Sequence, residues 1–251
     1  VEPKDIEALI NDDCAGISVM YANNEIGTIE PIQEIAGIAA EHKVLFHTDA
    51  VQAAGKLPIR VDRLGVDLLS LSGHKLHAPK GSGALYRRSG CRLIPRLYGG
   101  GQEYGLRSGT EAVPAFAALG AAVGALPDPA VFEAETKALS DRLLAGLSRI
   151  PGVLLHRPES AVPYIVSLSV PGLRSETLLH SLSADGVYVS SGSACSSNTG
   201  HASYVLRSFG LSAADADATV RISLGIQNTE EDITALCASL GQGLQRLAKI
   251  K

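Results

Sequence analysis

Short apolar runs alternate with an amphipathic stretch through the first third of this chain, and polar residues stand where three of those runs end. Gly16 to Tyr21 is an apolar, β-prone run, and Pro31 to Glu41 places Ile32, Ile35, Ile38 and Ala39 at helical spacing behind a proline. Val44 to Thr48 and Val66 to Leu71 are further short apolar runs. Strand, helix, strand, connection, strand is the order expected of a mostly parallel sheet covered by helices. Ligands of such sheets gather beyond the carboxyl ends of the strands. Asn23-Asn24, Asp49 and Ser72-Gly73-His74-Lys75 all fall there.

The turn Pro79-Lys80-Gly81-Ser82-Gly83 leads into Gly83 to Arg87. Too few residues intervene for a helical crossover, so this strand returns antiparallel. Helical stretches follow at Glu111 to Leu126 and Pro129 to Ile150, broken by Pro127-Asp128-Pro129. Beyond the break the pattern changes to strands at Val153 to His156 and Ile165 to Val170, a helix at Ser175 to Ala184 and a strand at Val187 to Ser190. A helix near Ser203 to Phe209, a strand at Thr219 to Leu224 and a helix at Glu230 to Lys249 complete it, the last with Thr229 as N-cap and Asp232 at N3. The expected fold class is α/β, with residues 1–127 forming part of a mostly parallel large domain and residues 128–251 a small α+β domain.

At 251 residues the chain can bury a substantial core, and 45% hydrophobic with 19% charged residues is ordinary for a globular enzyme. A formal charge of -4 argues against nucleic acid or an anionic membrane as the main partner. Val113 to Leu126, the longest small-apolar stretch, falls short of the roughly 20 residues that span a bilayer. With no secretory signal at Val1, a cytoplasmic setting is expected. Cys14, Cys91, Cys195 and Cys237 form no C-x-x-C pair, so neither a zinc site nor a disulfide framework is expected. The chain enters an amphipathic segment, Pro3 to Ile10, directly from Val1, with no initiator Met. A processed, split or truncated polypeptide is the expectation.

Pyridoxal phosphate needs a lysine for its aldehyde, a carboxylate for its pyridine nitrogen, and donors for its phosphate and phenolic oxygens. Lys75 can supply the first and Asp49 the second. Ser72 and His74 flank the lysine on a tight turn and suit phosphate oxygens. Gln52 and Asn24 are neutral amides suited to the phenolic oxygen, and Thr110, placed at a helix start behind a glycine, suits an anion. Taken singly, each residue has a plainer reading. Lys75 can be a solvated turn lysine, Asp49 and Thr110 helix caps, Asn24 a turn residue and Gln52 a surface amide. Their arrival in order, each at a strand end or helix start, raises the cofactor reading above these.

Cys195 lies in Ser190-Ser191-Gly192-Ser193-Ala194-Cys195-Ser196-Ser197-Asn198-Thr199-Gly200, which offers almost no side chain to bury a thiol. An accessible thiolate can reach a target, so Cys195 is a nucleophile candidate beside the plainer reading of a surface-loop cysteine. His201 is its only near neighbour that could act as base, and loop neighbours seldom hold dyad geometry. Arg221 is a lone charge within the apolar run Val220-Arg221-Ile222-Ser223. It serves either as a core-edge ion pair or as a fork for a substrate carboxylate.

On these residues the chain resembles the cysteine desulfurases of the class V aminotransferase-like superfamily of pyridoxal-phosphate enzymes. The matching segments are Asn23-Asn24-Glu25-Ile26-Gly27, His47-Thr48-Asp49-Ala50-Val51-Gln52, Ser72-Gly73-His74-Lys75, Arg107-Ser108-Gly109-Thr110-Glu111, Ser190 to Cys195, and Val220-Arg221-Ile222-Ser223-Leu224-Gly225. The resemblance implies a pyridoxal-phosphate transferase fold and a homodimer. It implies Lys75 as the cofactor lysine and proton shuttle, Asp49 as the ring-nitrogen partner, and Asn24 and Gln52 at the phenolic oxygen. Ser72 and His74 would hold the phosphate, with Thr110 reaching across from a second subunit. Arg221 would bind the carboxylate of L-cysteine, and Cys195 would take its sulfur as a persulfide, leaving L-alanine.

The Ser/Gly stretch resembles the subgroup in which a mobile loop carries the persulfide to acceptors such as an iron-sulfur scaffold. The only metal contact expected is therefore a transient one between Cys195 and an iron-sulfur cluster. Family members also carry an upstream phosphate-binding turn and a histidine stacked on the cofactor ring, neither of which this chain contains. A further N-terminal portion, on the same precursor or a separate chain, is expected to complete the site. Tyr104 stands where the family has a small or basic residue, and His77-Ala78 replaces an aromatic-glycine pair. A selenocysteine or cystine lyase, an aminotransferase, and an inactive fragment serving as an interaction subunit are the other readings. An aminotransferase has no need of Cys195.

Overall fold

A computed structural model describes residues 1–191 and 203–248. Cys195, the predicted nucleophile, and its neighbour His201 lie outside the described residues. The chain divides into two compact units: residues 1–22 with 30–129, and residues 23–29 with 130–251.

In the first unit, α1 (Pro3–Leu9) precedes β1 (Gly16–Met20), α2 (Ile32–Glu41), β2 (Leu45–Asp49), α3 (Val61–Leu64), β3 (Leu68–Ser72), β4 (Gly83–Arg87) and α4 (Val113–Gly124). The sheet runs β1-β2-β3-β4, parallel across the first two pairings and antiparallel at the last. Register puts Ile17, Val19, Phe46, Thr48 and Leu69 on one face. Phe46, Thr48 and Leu69 are buried there, and α2 packs along β2 with Ile32, Ile35, Ala36 and Ala39 buried. The opposite face carries Ser18, Met20, Leu45, His47, Asp49, Ser70 and Leu85 and is much more open: Met20, Leu45 and Leu85 are 38%, 44% and 53% exposed.

In the second unit, α5 (Pro129–Leu147), β5 (Leu154–His156), β6 (Ile165–Ser169), α6 (Ser175–Ala184), β7 (Ser190–Ser191), α7 (Tyr204–Ser208), α8 (Ala213–Asp217), β8 (Thr219–Ser223) and α9 (Glu230–Ala248) follow in order. The sheet β5-β6-β8-β7 is antiparallel throughout. Every residue of its central strand β6 is buried. Leu143 and Leu147 of α5, Leu178 and Leu182 of α6, and Ile233 and Leu240 of α9 complete that core. The predicted capping box opens α9: Thr229 N–H donates to Asp232 Oδ2 at 3.0 Å, and Asp232 N–H donates to Thr229 Oγ1 at 3.4 Å.

Two expectations change. The strand predicted over Val187 to Ser190 is only Ser190–Ser191. Gly186 turns left-handed after α6 and Val187 N–H donates back to Leu182 O, so the residues that follow close a helix rather than extend a ladder. The helix expected from Glu111 starts at Val113, with Ala112 at the N-cap and proline in the first turn, where its missing N–H costs nothing. Thr110 therefore lies in exposed coil ahead of the helix rather than at its first turn. Two short helices, α3 and α8, were not expected. No single helix among the described residues is long and apolar enough to cross a membrane.

Candidate active site

In the first unit Asp49 and Ser72 terminate adjacent parallel strands, β2 and β3. The chain leaves β3 through a 3-10 turn, Gly73–Leu76, which carries His74 and Lys75 directly beyond the strand end. The turn is held by backbone bonds from Gly73 N–H to Ser82 O (2.8 Å) and from Ala78 N–H to Gly73 O (3.0 Å). A Cβ on Gly73 would lie 2.3 Å from Ser82 Oγ and 3.1 Å from Ser82 O, so any side chain there forces Ser82 to move. Ser82 cannot swing away freely, since it is buried and its hydroxyl donates to Pro79 O at 3.0 Å. Gly73→Ala is expected to cost about 1–3 kcal/mol in denaturant melts, with Ser82→Ala in the same chain recovering part of it. An unchanged midpoint for Gly73→Ala would mean that the turn yields without cost.

The side chains around this turn are paired but not consumed. Asp49 Oδ1 accepts Val51 N–H at 2.8 Å, while Oδ2 takes no hydrogen bond among the described residues. Ser72 Oγ and His74 Nδ1 are 2.7 Å apart, and His74 is exposed. Lys75 and Gln52 are half-buried. On the open sheet face, His47 Nδ1 lies 2.8 Å from Ser18 Oγ and its Nε2 lies 3.0 Å from Ser70 Oγ. This polar line crosses three strands two residues upstream of Asp49, and sequence reasoning assigned it no role. Its one legible signal was a histidine two residues before the aspartate, hence on the same strand face. An amine, an uncommitted carboxylate oxygen and hydroxyl and imidazole donors at two adjacent strand ends form a donor set that fits pyridoxal phosphate.

The second unit holds Asn24 and Arg221. Asn23 Oδ1 accepts the N–H groups of Glu25 and Ile26, turning the chain tightly, and Gly27 follows at φ +76°. Val162 N–H donates to Gly27 O, and a Cβ at Gly27 would lie 3.0 Å from Val162 and 3.2 Å from Ile165. Arg221, on β8, shares a sheet row with Ser167 of β6 and Ser190 of β7. Its Nη1 donates to Asn24 O at 2.8 Å, its Nε to Ser223 Oγ at 3.1 Å and its Nη2 to Ser190 Oγ at 3.4 Å. A backbone carbonyl and two serine hydroxyls thus hold the guanidinium at the edge of the sheet. Beside it, Ser167 Oγ is buried with no hydrogen-bond partner among the described residues.

Glu25, a second residue to which sequence reasoning gave no role, is 6% exposed. Its Oε2 accepts the Ser203 hydroxyl at 2.6 Å, and Ser203 Oγ in turn caps α7 by accepting Leu206 N–H. Burial pushes the Glu25 carboxyl above the ordinary range, opposed by the Ser203 hydrogen bond and by the charge of Arg221. Nothing in the sequence pattern separates this glutamate from a turn residue, because the hydroxyl that its side chain accepts lies 178 residues away.

Of the other cysteines, Cys91 is buried, Cys14 and Cys237 are half-buried, and burial pushes the Cys237 thiol up, which disfavours its thiolate. No cluster of metal-ligating side chains occurs among the described residues.

The family model for class-V aminotransferases matches residues 1–236. The cysteine desulfurase IscS of Methanosarcina thermophila is 43% identical over 250 residues, covering 98% of this chain and 62% of the relative. That of Clostridium botulinum (strain Hall) is 44% identical over 238 residues, covering 93% and 60%. A solved NifS-like protein superposes with a TM-score of 0.89 at 35% identity, over 98% of this chain and 65% of its own. The chain thus spans about three-fifths of the curated relatives it matches.

Proposed function

The chain belongs to the class-V aminotransferase family, and on that premise we propose that it is the larger part of a pyridoxal-phosphate-dependent cysteine desulfurase, taking sulfur from L-cysteine and leaving L-alanine. The observation that carries this reading is the placement of Asp49 and the Ser72 to Lys75 turn at the carboxyl ends of adjacent strands. The relatives named cysteine desulfurase support the choice of reaction.

Bound in this family's manner, pyridoxal phosphate supplies an electron sink for the carbon bearing the substrate amine. Lys75 holds the cofactor through Nζ and moves protons at the same atom. Asp49 Oδ2 keeps the ring nitrogen protonated, a task its uncommitted oxygen suits. Ser72 and His74 hold the phosphate, Asn24 and Gln52 orient the phenolic oxygen, and Thr110 reaches the phosphate of a second subunit from exposed coil. Arg221 grips the substrate carboxylate in a two-pronged fashion. The Cys195 thiolate attacks the substrate sulfur: the C–S bond breaks, an S–S bond forms, and the electron pair left on carbon takes up a proton to give alanine. The persulfide on Cys195 then passes to an acceptor protein, an iron-sulfur scaffold or a tRNA- or DNA-thiolation partner. Cys195 touches an iron-sulfur cluster at most transiently. The working form is a homodimer in the cytoplasm.

We also propose that residues 1–127 form the C-terminal part of the large domain, residues 128–251 the small one, and that a further N-terminal portion, on the same precursor or a separate chain, completes the cofactor site. The exposed apolar side chains of the first unit support this. No residue of the apolar helix α4 is buried, and Met20, Leu45 and Leu85 stand open on the sheet face that carries Asp49. An uncovered apolar surface of this kind marks an interaction site.

The 251-residue chain alone, mixed with pyridoxal phosphate, is expected to show little visible cofactor absorbance and little alanine or sulfide release from L-cysteine. Both should appear when the N-terminal portion is supplied. Full colour and turnover from the chain alone would remove the need for that portion, and a coloured assembly that releases no alanine would refute the desulfurase reading.

A further inference from the structure

Glu25 occupies a position that its hydrogen bonds do not by themselves explain. It is buried, next along the chain from the carbonyl that Arg221 holds at 2.8 Å. A neutral amide could also accept the Ser203 hydroxyl, and α7 is capped by Ser203 itself rather than by Glu25. What a carboxylate adds at this point is charge, which is costly to bury without a compensating cation. The cation whose field acts on it is Arg221.

Substrate and product of the proposed reaction share the same α-carboxylate. An arginine without a nearby anion would hold L-alanine as firmly as L-cysteine, and uniform binding of this kind lowers KM without raising kcat. Resting on the reading of Arg221 as the fork for the substrate carboxylate, we propose that Glu25 is the buried counter-charge that moderates this fork, so that the shared carboxylate is oriented during the reaction and let go after it. Glu25 is on this view a positioning residue that acts through Arg221 and touches no reacting atom.

In the cofactor-loaded complete enzyme, E25Q keeps the volume and the acceptor for Ser203 while removing the charge. It is expected to bind L-alanine roughly three- to tenfold more tightly and to lower KM for L-cysteine without raising kcat. E25M, an apolar residue of similar volume, carries the same expectation and serves where the amide variant folds poorly. In an R221Q background the same Glu25 substitutions should leave L-alanine affinity where R221Q alone puts it. A role confined to anchoring Ser203 predicts the reverse pattern: a change in melting temperature with L-alanine affinity unmoved. Unchanged or weaker L-alanine binding in both E25Q and E25M, or tightening that persists in R221Q, overturns the counter-charge. If R221Q itself leaves L-alanine affinity unchanged, the assignment of Arg221 to the carboxylate fails, and this inference fails with it.

Discussion

Lys75→Ala is expected to leave the protein folded but to abolish covalent attachment of pyridoxal phosphate and to reduce alanine release by roughly a thousandfold or more. Lys75 is half-buried on a turn whose shape rests on Gly73, Ser82 and Ala78 backbone bonds rather than on its own side chain. Truncating such a side chain costs little stability. What it removes is the amine on the turn that leaves β3, the strand paired in parallel with the one that Asp49 ends. Borohydride reduction followed by mass spectrometry of the peptide containing residue 75 measures the linkage directly. A cofactor-labelled peptide elsewhere in the chain, or near-normal turnover in Lys75→Ala, would move the cofactor lysine to another residue.

The second large effect belongs to Cys195. Cys195→Ala should lose alanine and sulfide release from L-cysteine by a similar factor while keeping normal cofactor absorbance, since the thiol takes part in sulfur removal and not in holding the cofactor. Retained desulfuration in the variant would sink the persulfide route, and retained transamination alone would favour an aminotransferase. Loss of both activities with the cofactor still bound is the outcome that desulfuration through Cys195 requires.

How much of this was legible beforehand depended on the range of the interactions involved. The strands around Asp49 and Lys75, α2, α6 and the capping box of α9 rest on contacts within a few residues and on hydrophobic period, so they were readable within one or two residues. The misreadings came where a local signal competed with chain closure. Val187 to Ser190 has the composition of a strand, but the end of α6 takes its first residues. Glu111 stands where a helix could begin, but proline in the first turn fits the later start at Val113. The α8 helix was missed because five residues provide too short a pattern to show a period.

The sequence by itself determined the chemistry on offer: a lysine on a glycine-bearing turn, an aspartate at a strand end, an arginine in an apolar strand and a cysteine among small polar residues. Those identities follow from residue type and spacing, and the resemblance that they carry needed no coordinates. Only the tertiary structure decided which of these groups are already engaged. It tied His47 between Ser18 and Ser70, left Asp49 Oδ2 uncommitted, and brought Arg221 to the Asn24 carbonyl and Ser203 to Glu25. The physical reason is separation along the chain. Hydrogen bonds and burial across 178 and 197 residues are set by how the sheets and helices pack, and no local pattern encodes them.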